Sequence, residues 1–436
     1  LFRPRERMLS RQAVRSAHSA ATRTAAPLAK APEQSTKLSS GLTVASAEHN
    51  GPVAHLVLAF RAGSRYESGQ QAGLVHHIRN MVGADSKQYG GVQLVWSAAS
   101  AGSEIHSFST PDYLGVRLSV PRDSSNLALS VLGHVAADPA FKEWELEDAL
   151  PTLTHDLTYL RPSDRVFEDI RRAAFRNGSL SHPLYASEFT VGKYSGDELR
   201  RFASARLVAG QAVLYGVNIE HDRLRGYGDV HAPVKAESGS APAASPYKGG
   251  EWRREGPGSL AHVVIAGQGA AAGDAAALAA QAVLVASLGS GSALKFGTAG
   301  KGALAGVSKQ GDVGVAAFEQ AFEGEGLVGA YLLASSSRVA EAVKGVARAL
   351  KTYAADDLEA AKKRAKMDLL RKAAHSADAA TSRSLEILAG LKEGAVLAAI
   401  DTVTASQVEA AAKKASSNLS IASYGAIANV PYRDQL

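Results

Sequence analysis

The chain repeats itself. Ala54-His55-Leu56-Val57-Leu58-Ala59 resembles Ala261-His262-Val263-Val264-Ile265-Ala266. Leu146-Glu147 opens a helical stretch as Leu358-Glu359 does, and Val213-Leu214-Tyr215-Gly216 resembles Ala422-Ser423-Tyr424-Gly425. The three pairs keep their order and recur about 210 residues apart, which is the trace a duplicated domain leaves. The fold class that follows is α+β: two homologous duplicated domains, each a mixed or antiparallel sheet packed with helices.

The local patterns agree in the two copies. In the first, Leu42–Ser46, His55–Phe60, Tyr113–Val120 and Ala212–Gly216 read as strands. Gly73–Val82, Ser125–Ala136 and Glu198–Ser204 read as helices. Trp144–Phe175 holds two more, broken at Pro162, with Ser163 or Asp164 as the cap of the second. In the second copy, strands are expected at His262–Ala266, Val313–Phe322, Leu327–Ala334 and Leu419–Tyr424. Helices are expected at Asp274–Leu288, Arg338–Ala354, Asp357–Ala374, Ala377–Leu391 and Ser406–Ala415. The boundaries become 35–230 for the first domain, 231–250 for a linker and 251–436 for the second domain. Pro233, Gly239, Pro242 and Pro246 among Ser and Ala predict an exposed, mobile linker.

Residues 1–34 read differently. Arg3, Arg5, Arg7, Arg11, Arg15, Arg23 and Lys30 stand against one acid, Glu6, with Ser10, Ser16 and Ser19 between them. An Arg- and Ser-rich, acid-poor start is the composition of a mitochondrial transit peptide. Met8-Leu9-Ser10-Arg11 opens like such a leader, with residues 1–7 an upstream extension. No apolar run approaches the ~20 residues of a membrane helix, so contact with a membrane is expected to be indirect. The absence of cysteine excludes disulfides, thiolate metal sites and cysteine nucleophiles. No basic stripe with interleaved aromatics points to nucleic acid.

The segment with most chemical content is Gly73-Leu74-Val75-His76-His77-Ile78-Arg79-Asn80, which follows Ala62-Gly63-Ser64-Arg65-Tyr66-Glu67. Its order is that of the inverted zinc motif H-x-x-E-H, in which two ligands and a general base share one helical turn. Here the slots hold His76, Arg79 and Asn80. A zinc-bound water needs a carboxylate to take its proton and three good ligands to hold the ion. Arg79 brings a fixed positive charge where the base should be, and Asn80 is a poor ligand. No catalytic residue, metal or cofactor is therefore expected. His76 and His77 point about 100° apart on a helix and do not chelate one ion together. His55 and His262, at matching repeat positions, read as strand residues.

These residues resemble the pitrilysin-type metallopeptidase superfamily, and within it the core subunits of mitochondrial ubiquinol–cytochrome c reductase, respiratory complex III. The resemblance rests on 41–46, 62–67, Pro139-Ala140-Phe141 with Trp144-Glu145, Gly249-Gly250-Glu251 and the C-terminal strand, and spans roughly residues 37–436. It implies two homologous domains packed as a bowl. It also implies pairing with core protein 1 and contact with other complex III subunits. The place implied is the matrix side of the mitochondrial inner membrane, held there peripherally, and the role is structural: assembly and stability. Active relatives take a third ligand, a Glu, from a downstream helix. The matching stretch here, 153–160, offers His155 and Asp156 but no Glu, with Asp156 as a fallback ligand.

Two other readings stand beside the structural one. The run from Gly289 to Gly302 misses the P-loop pattern, because Gly302 follows Lys301 where Ser or Thr is needed. A mobile surface loop is one reading of this run; glycine loops also occur at this point in the processing-peptidase α subunit, where the resemblance implies contact with presequences. Gly289, Gly291, Gly297, Gly300 and Gly302 are thus a candidate peptide-contact loop, and an α-type substrate-binding subunit of mitochondrial processing peptidase is the alternative function. A zinc peptidase with unusual ligands is the third. The Lys344, Arg348, Lys362, Lys363, Arg364 and Lys366 faces read as solvated helix surfaces.

Overall fold

The computed structural model describes residues 31–289, 302–308 and 313–436. The first half runs β1 (Ala31–Lys37), β2 (Thr43–Glu48), β3 (Val53–Phe60), α1 (Leu74–Asn80), α2 (Gly91–Ser100), β4 (Glu104–Ser109) and β5 (Leu114–Pro121). It continues with α3 (Ser125–Ala137), α4 (Glu143–Thr158), α5 (Pro162–Phe175), α6 (Gly196–Arg206), β6 (Ala212–Val217) and α7 (His221–Val230). The second half holds β7 (Glu251–Glu255), β8 (Leu260–Gln268), α8 (Ala275–Leu288), α9 (Ala305–Ser308), β9 (Val313–Ala321) and β10 (Gly326–Ser335). It ends with α10 (Val339–Lys351), α11 (Leu358–Lys372), α12 (Ser376–Leu388), α13 (Ala395–Thr402), α14 (Ala405–Ser417) and β11 (Ser420–Gly425).

The strand orders are β1-β2-β6-β3-β5-β4 and β7-β11-β8-β10-β9. Placed side by side they are one topology written twice, with β1 as an extra strand on the first sheet. In each sheet a single pair is parallel, β2 with β6 and β7 with β11. The duplication inferred from three short matches is therefore a duplication of whole sheets.

The central strands are apolar on both faces. Every residue of β6 is buried, and all of β3 after Val53. A strand reads that way only where both sides of its sheet are covered. One side is covered from within: α3 and α7 lie on the first sheet, and α8, α10 and α14 on the second. The other side is covered across the molecule. Helix α12 of the second half lies on β3, β5 and β6, and α5 of the first half lies on β7, β8 and β11. Ala380 and Leu388 close over Ala45, Val57, Val213 and Tyr215. Val166, Ile170, Ala174 and Phe175 close over Val264, Ala266, Leu327 and Ala422. Fully burying one Leu, Ile, Val or Phe side chain contributes about 1.5–3 kcal/mol, so each half depends on the other for a full apolar face.

Polar contacts fix this exchange. The Arg65 guanidinium pairs with Asp112 and donates to the Glu323 carbonyl at 2.9 Å. Asp112 accepts from the Glu323 amide at 3.0 Å, while Tyr113 Oη and Arg61 Nε both donate to Glu323 Oε1, at 2.9 and 2.8 Å. Arg254 on β7 grips Asp169 on α5 with Nε and Nη2, at 3.1 and 2.9 Å.

The structure corrects the sequence reading in four places. Residues 31–34, expected to belong to the leader, are part of β1, where Glu33 is held by Arg383 of α12 at 2.8 and 3.1 Å. The rest of the expected leader lies outside the described residues. Helix α5 begins on Pro162 itself, so neither Ser163 nor Asp164 caps it. Proline fits the first helical position because its missing N–H would be unpaired there anyway. The linker is largely exposed but tied down. Its Lys235 and Glu237 carbonyls accept from Ala209 and Gly210 at 2.9 and 2.8 Å, and buried Ser245 Oγ accepts from Leu180 at 3.2 Å. Lastly, β1, β4, β7, α2, α7, α9 and α13 were not foreseen.

Phe175 is fully buried at the crossing of the halves, edge-on to Tyr247 and Phe322 at 6.2 and 6.1 Å. Phe175→Ala should lower unfolding free energy by about 3–5 kcal/mol, read from urea denaturation. A loss under about 1 kcal/mol would show that the crossing contributes little.

Candidate functional site

Helix α1 is set by what precedes it. Gly63 passes so close to the 110–112 loop that a Cβ would lie 2.3 Å from the Pro111 carbonyl oxygen. Gly73, the residue before the helix, has φ of +93° and touches Ala186. The helix has no side-chain cap of its own. Its cap comes from Glu67, whose carboxyl oxygens accept from Gly73 N at 2.9 Å and Val75 N at 2.7 Å. Two amides that a helix start leaves unpaired are thereby satisfied. Burial pushes Glu67 up to about 8, against the pull of those donors. Leu74, Val75 and Ile78 then anchor the helix in the first core.

His76 is fully buried. Its Nδ1 accepts from Ala186 N at 3.3 Å, so the ring proton sits on Nε2, which donates to Asp156 Oδ2 at 3.0 Å. Arg79 Nη2 donates to the same oxygen at 2.6 Å, and Asn80 Nδ2 reaches it at 3.2 Å while also donating to the His76 carbonyl at 3.0 Å. Tyr185 lies against this group, with the Arg79 guanidinium 5.3 Å from its ring centre and the His76 ring edge-on at 5.2 Å. The three motif positions and the acid of the downstream helix α4 therefore do meet at one point.

The polarity of that point is the reverse of a metal site. A zinc centre is a cation ringed by lone pairs. Here an anion, Asp156, is ringed by three donors, and the guanidinium carries the positive charge. His76 turns its proton, not its lone pair, toward the centre. Asp156 loses some ease of ionisation to burial, but the hydrogen bonds from His76 and Asn80 and the charge of Arg79 outweigh this and hold its carboxyl below the usual range. Burial drives His76 down to about 4, with the Asp156 hydrogen bond opposing. Neutral His76 and ionised Asp156 are the stable pair. Among the described residues no cluster of three or more His, Asp or Glu is placed to hold a metal ion.

His77 faces elsewhere. Its Nδ1 donates to the Gly73 carbonyl at 2.8 Å, its Nε2 accepts from Gly192 N at 3.0 Å, and Tyr194 stands edge-on at 5.0 Å. The two adjacent histidines carry opposite tautomers and serve different contacts. His55 bridges Ser119 and Ser376 at 2.9 and 2.7 Å, and His262 meets Tyr331 Oη at 2.6 Å; both are strand residues. Of the glycine run, Gly291, Gly297 and Gly300 lie outside the described residues. Gly289 ends α8 with φ of +99°, and Gly302 (φ +149°) has no room for a Cβ beside the Leu288 carbonyl. Lys362 and Lys366 reach Asp401, which ties α11 to α13. The sequence reading missed Glu67, Tyr185 and Ala186. A carboxylate six residues before Gly73, at the start of a helix with no cap of its own, was the available signal for Glu67; an amide such as that of Ala186 leaves none.

Because His76 has its folded value at about 4, below its ordinary 6.5, its contribution to stability is present above pH 6.5 and is lost as pH falls toward 4. Between pH 7 and 5 the parent should lose about 2 kcal/mol that His76→Gln does not lose. Urea denaturation of both chains at the two pH values checks this; parallel losses would refute it.

Comparison with known proteins agrees with the geometry. The Insulinase (Peptidase family M16) family matches residues 43–188. "Cytochrome b-c1 complex subunit 2, mitochondrial" of Homo sapiens is 28% identical over 432 residues, covering 95% of each chain. "Probable mitochondrial-processing peptidase subunit alpha-2, chloroplastic/mitochondrial" of Arabidopsis thaliana is 24% identical over 53% of this chain and 47% of its own. Among solved structures, a chain of "Complex III2 from Candida albicans, Inz-5 bound" superposes with a TM-score of 0.79 at 18% identity, covering 92% of this chain and 98% of that one, and so shares its fold. The chain thus resembles the M16, or pitrilysin-type, peptidases over residues 43–188, and over 95% of its length subunit 2 of the cytochrome b-c1 complex.

Proposed function

We propose that this chain is a non-catalytic structural core subunit of mitochondrial ubiquinol–cytochrome c reductase, of the core protein 2 type, supporting assembly and stability of the complex. It works peripherally on the matrix side of the inner membrane, beside a homologous partner, core protein 1. The observation that carries this reading is the Arg79 guanidinium 2.6 Å from Asp156 Oδ2. A peptidase of this type needs a carboxylate at that helical position to activate water, and needs the downstream acid free to face a cation. Here the position supplies a cation that occupies the acid. The likeness to a cytochrome b-c1 subunit over 95% of the chain supports the same reading. Among the described residues no helix is long and apolar enough to cross a membrane.

The α-type processing-peptidase reading has weaker support. Its likeness covers about half of the chain, and most of the glycine run on which it rests lies outside the described residues.

Native electrophoresis of mitochondria solubilised in mild detergent, with mass spectrometry of the band, separates the two. Co-migration with cytochrome b-c1 subunits is the expected result. Migration as a soluble heterodimer with a partner carrying an intact H-x-x-E-H would replace this reading with the processing-peptidase one. Zinc bound in stoichiometric amount to the purified chain would overturn the non-catalytic assignment.

A further inference from the structure

The two sheets differ in one respect. In the first, β2 is flanked on its outer side by β1, which runs antiparallel to it. In the second, among the described residues, the corresponding strand β7 bonds to β11 alone and is the sheet's edge. An edge strand leaves one row of amide and carbonyl groups without a ladder partner. We infer that the free edge of β7 receives an extended, acidic segment of another subunit, running antiparallel as β1 does. This rests on the chain's being a subunit of an assembly.

The charged residues of β7 do not block that edge. Glu251 is held by Arg253 at 3.0 Å and by the Arg433 amide at 3.0 Å. Arg253 in turn donates to the Ile427 and Val430 carbonyls at 2.9 and 3.0 Å. These side chains are tied to the C-terminal tail. On the face under α5 the situation is reversed. Arg172 stands over the Trp252 ring at 5.6 Å, and its nearest carboxylate, Asp169, is 3.9 Å away and already gripped by Arg254. Arg172, Arg176, His182, Ser187, Gly250 and Trp252 line a cavity of about 710 Å³ at the start of the strand. Trp252 is 39% exposed there.

The first sheet shows how such a slot is filled. Glu33 of β1 pairs with Arg383 of α12, the helix that crosses over from the other half. Helix α5 is the crossing helix of the second sheet, and Arg172 is the cation it holds near the edge. An incoming strand with a carboxylate on the α5 side would pair its backbone with β7 and its acid with Arg172. Backbone pairing of this kind accepts many sequences, and the single charge adds selectivity.

Hydrogen–deuterium exchange tests the inference on the intact assembly and on the isolated chain, following peptides that cover 250–256. Their amides should exchange about ten-fold or more slowly in the assembly. Arg172→Glu should remove most of that slowing while the assembly still migrates intact, and Arg172→Gln part of it. Equal exchange in assembly and isolated chain would overturn the inference. So would slowing untouched by Arg172→Glu, or slowing in the isolated chain that grows with its concentration, since the occupant would then be a second copy. Failure to find any assembly would instead sink the functional reading on which this one rests.

Discussion

Everything else in this molecule depends on an exchange of cover. Each half makes a sheet with two apolar faces and supplies helices for one of them. The second face is closed by a helix from the other half, α5 in one direction and α12 in the other. A sheet such as β2-β6-β3, with Val57, Val213 and Tyr215 turned toward α12, would otherwise expose a broad apolar surface to water. The hydrophobic effect therefore couples the halves. The Arg65–Asp112–Glu323 contacts then fix their register.

The same separation of roles explains how a peptidase-like scaffold can keep its shape without its chemistry. What holds α1 in place is Glu67 at its start, Gly73 against Ala186, and Leu74, Val75 and Ile78 in the core. None of these would touch a metal. What sets the chemistry is Arg79 and Asn80, which are only half-buried. Those two positions can invert the electrostatics of the site while the helix stays where it is. The carboxylate of Asp156 then finds its charge partner in a side chain instead of an ion.

How much could be read in advance followed from burial. Strands β3, β6, β8 and β10 are apolar runs and were legible as such. The strands that were missed, β1, β4 and β7, lie at or near sheet edges, and their sequences, Ala-Pro-Glu-Gln-Ser-Thr-Lys, Glu-Ile-His-Ser-Phe-Ser and Glu-Trp-Arg-Arg-Glu, are largely polar. Such segments are strands because of the neighbour they pair with, and local sequence does not carry that. Helix α2 escaped for another reason: Leu94 and Ala98 form a buried stripe, but Val92, Val95 and Trp96 are exposed, so apolar residues on both sides of the helix blur the pattern. At the site, the motif slots were legible because residue type and spacing define them. The convergence on Asp156 was not, since it depends on how α4 lies against α1.

The clasp between Glu33 and Arg383 has a consequence for how such a chain is made. Synthesis delivers Glu33 of β1 some 350 residues before Arg383 of α12. Until then the face of the first sheet that α12 will cover has nothing native to meet. Contacts this distant along the chain close late and slowly. A nascent or half-translocated chain would therefore carry an open greasy surface for as long as its second half is still arriving, and would need a chaperone's shelter during that interval.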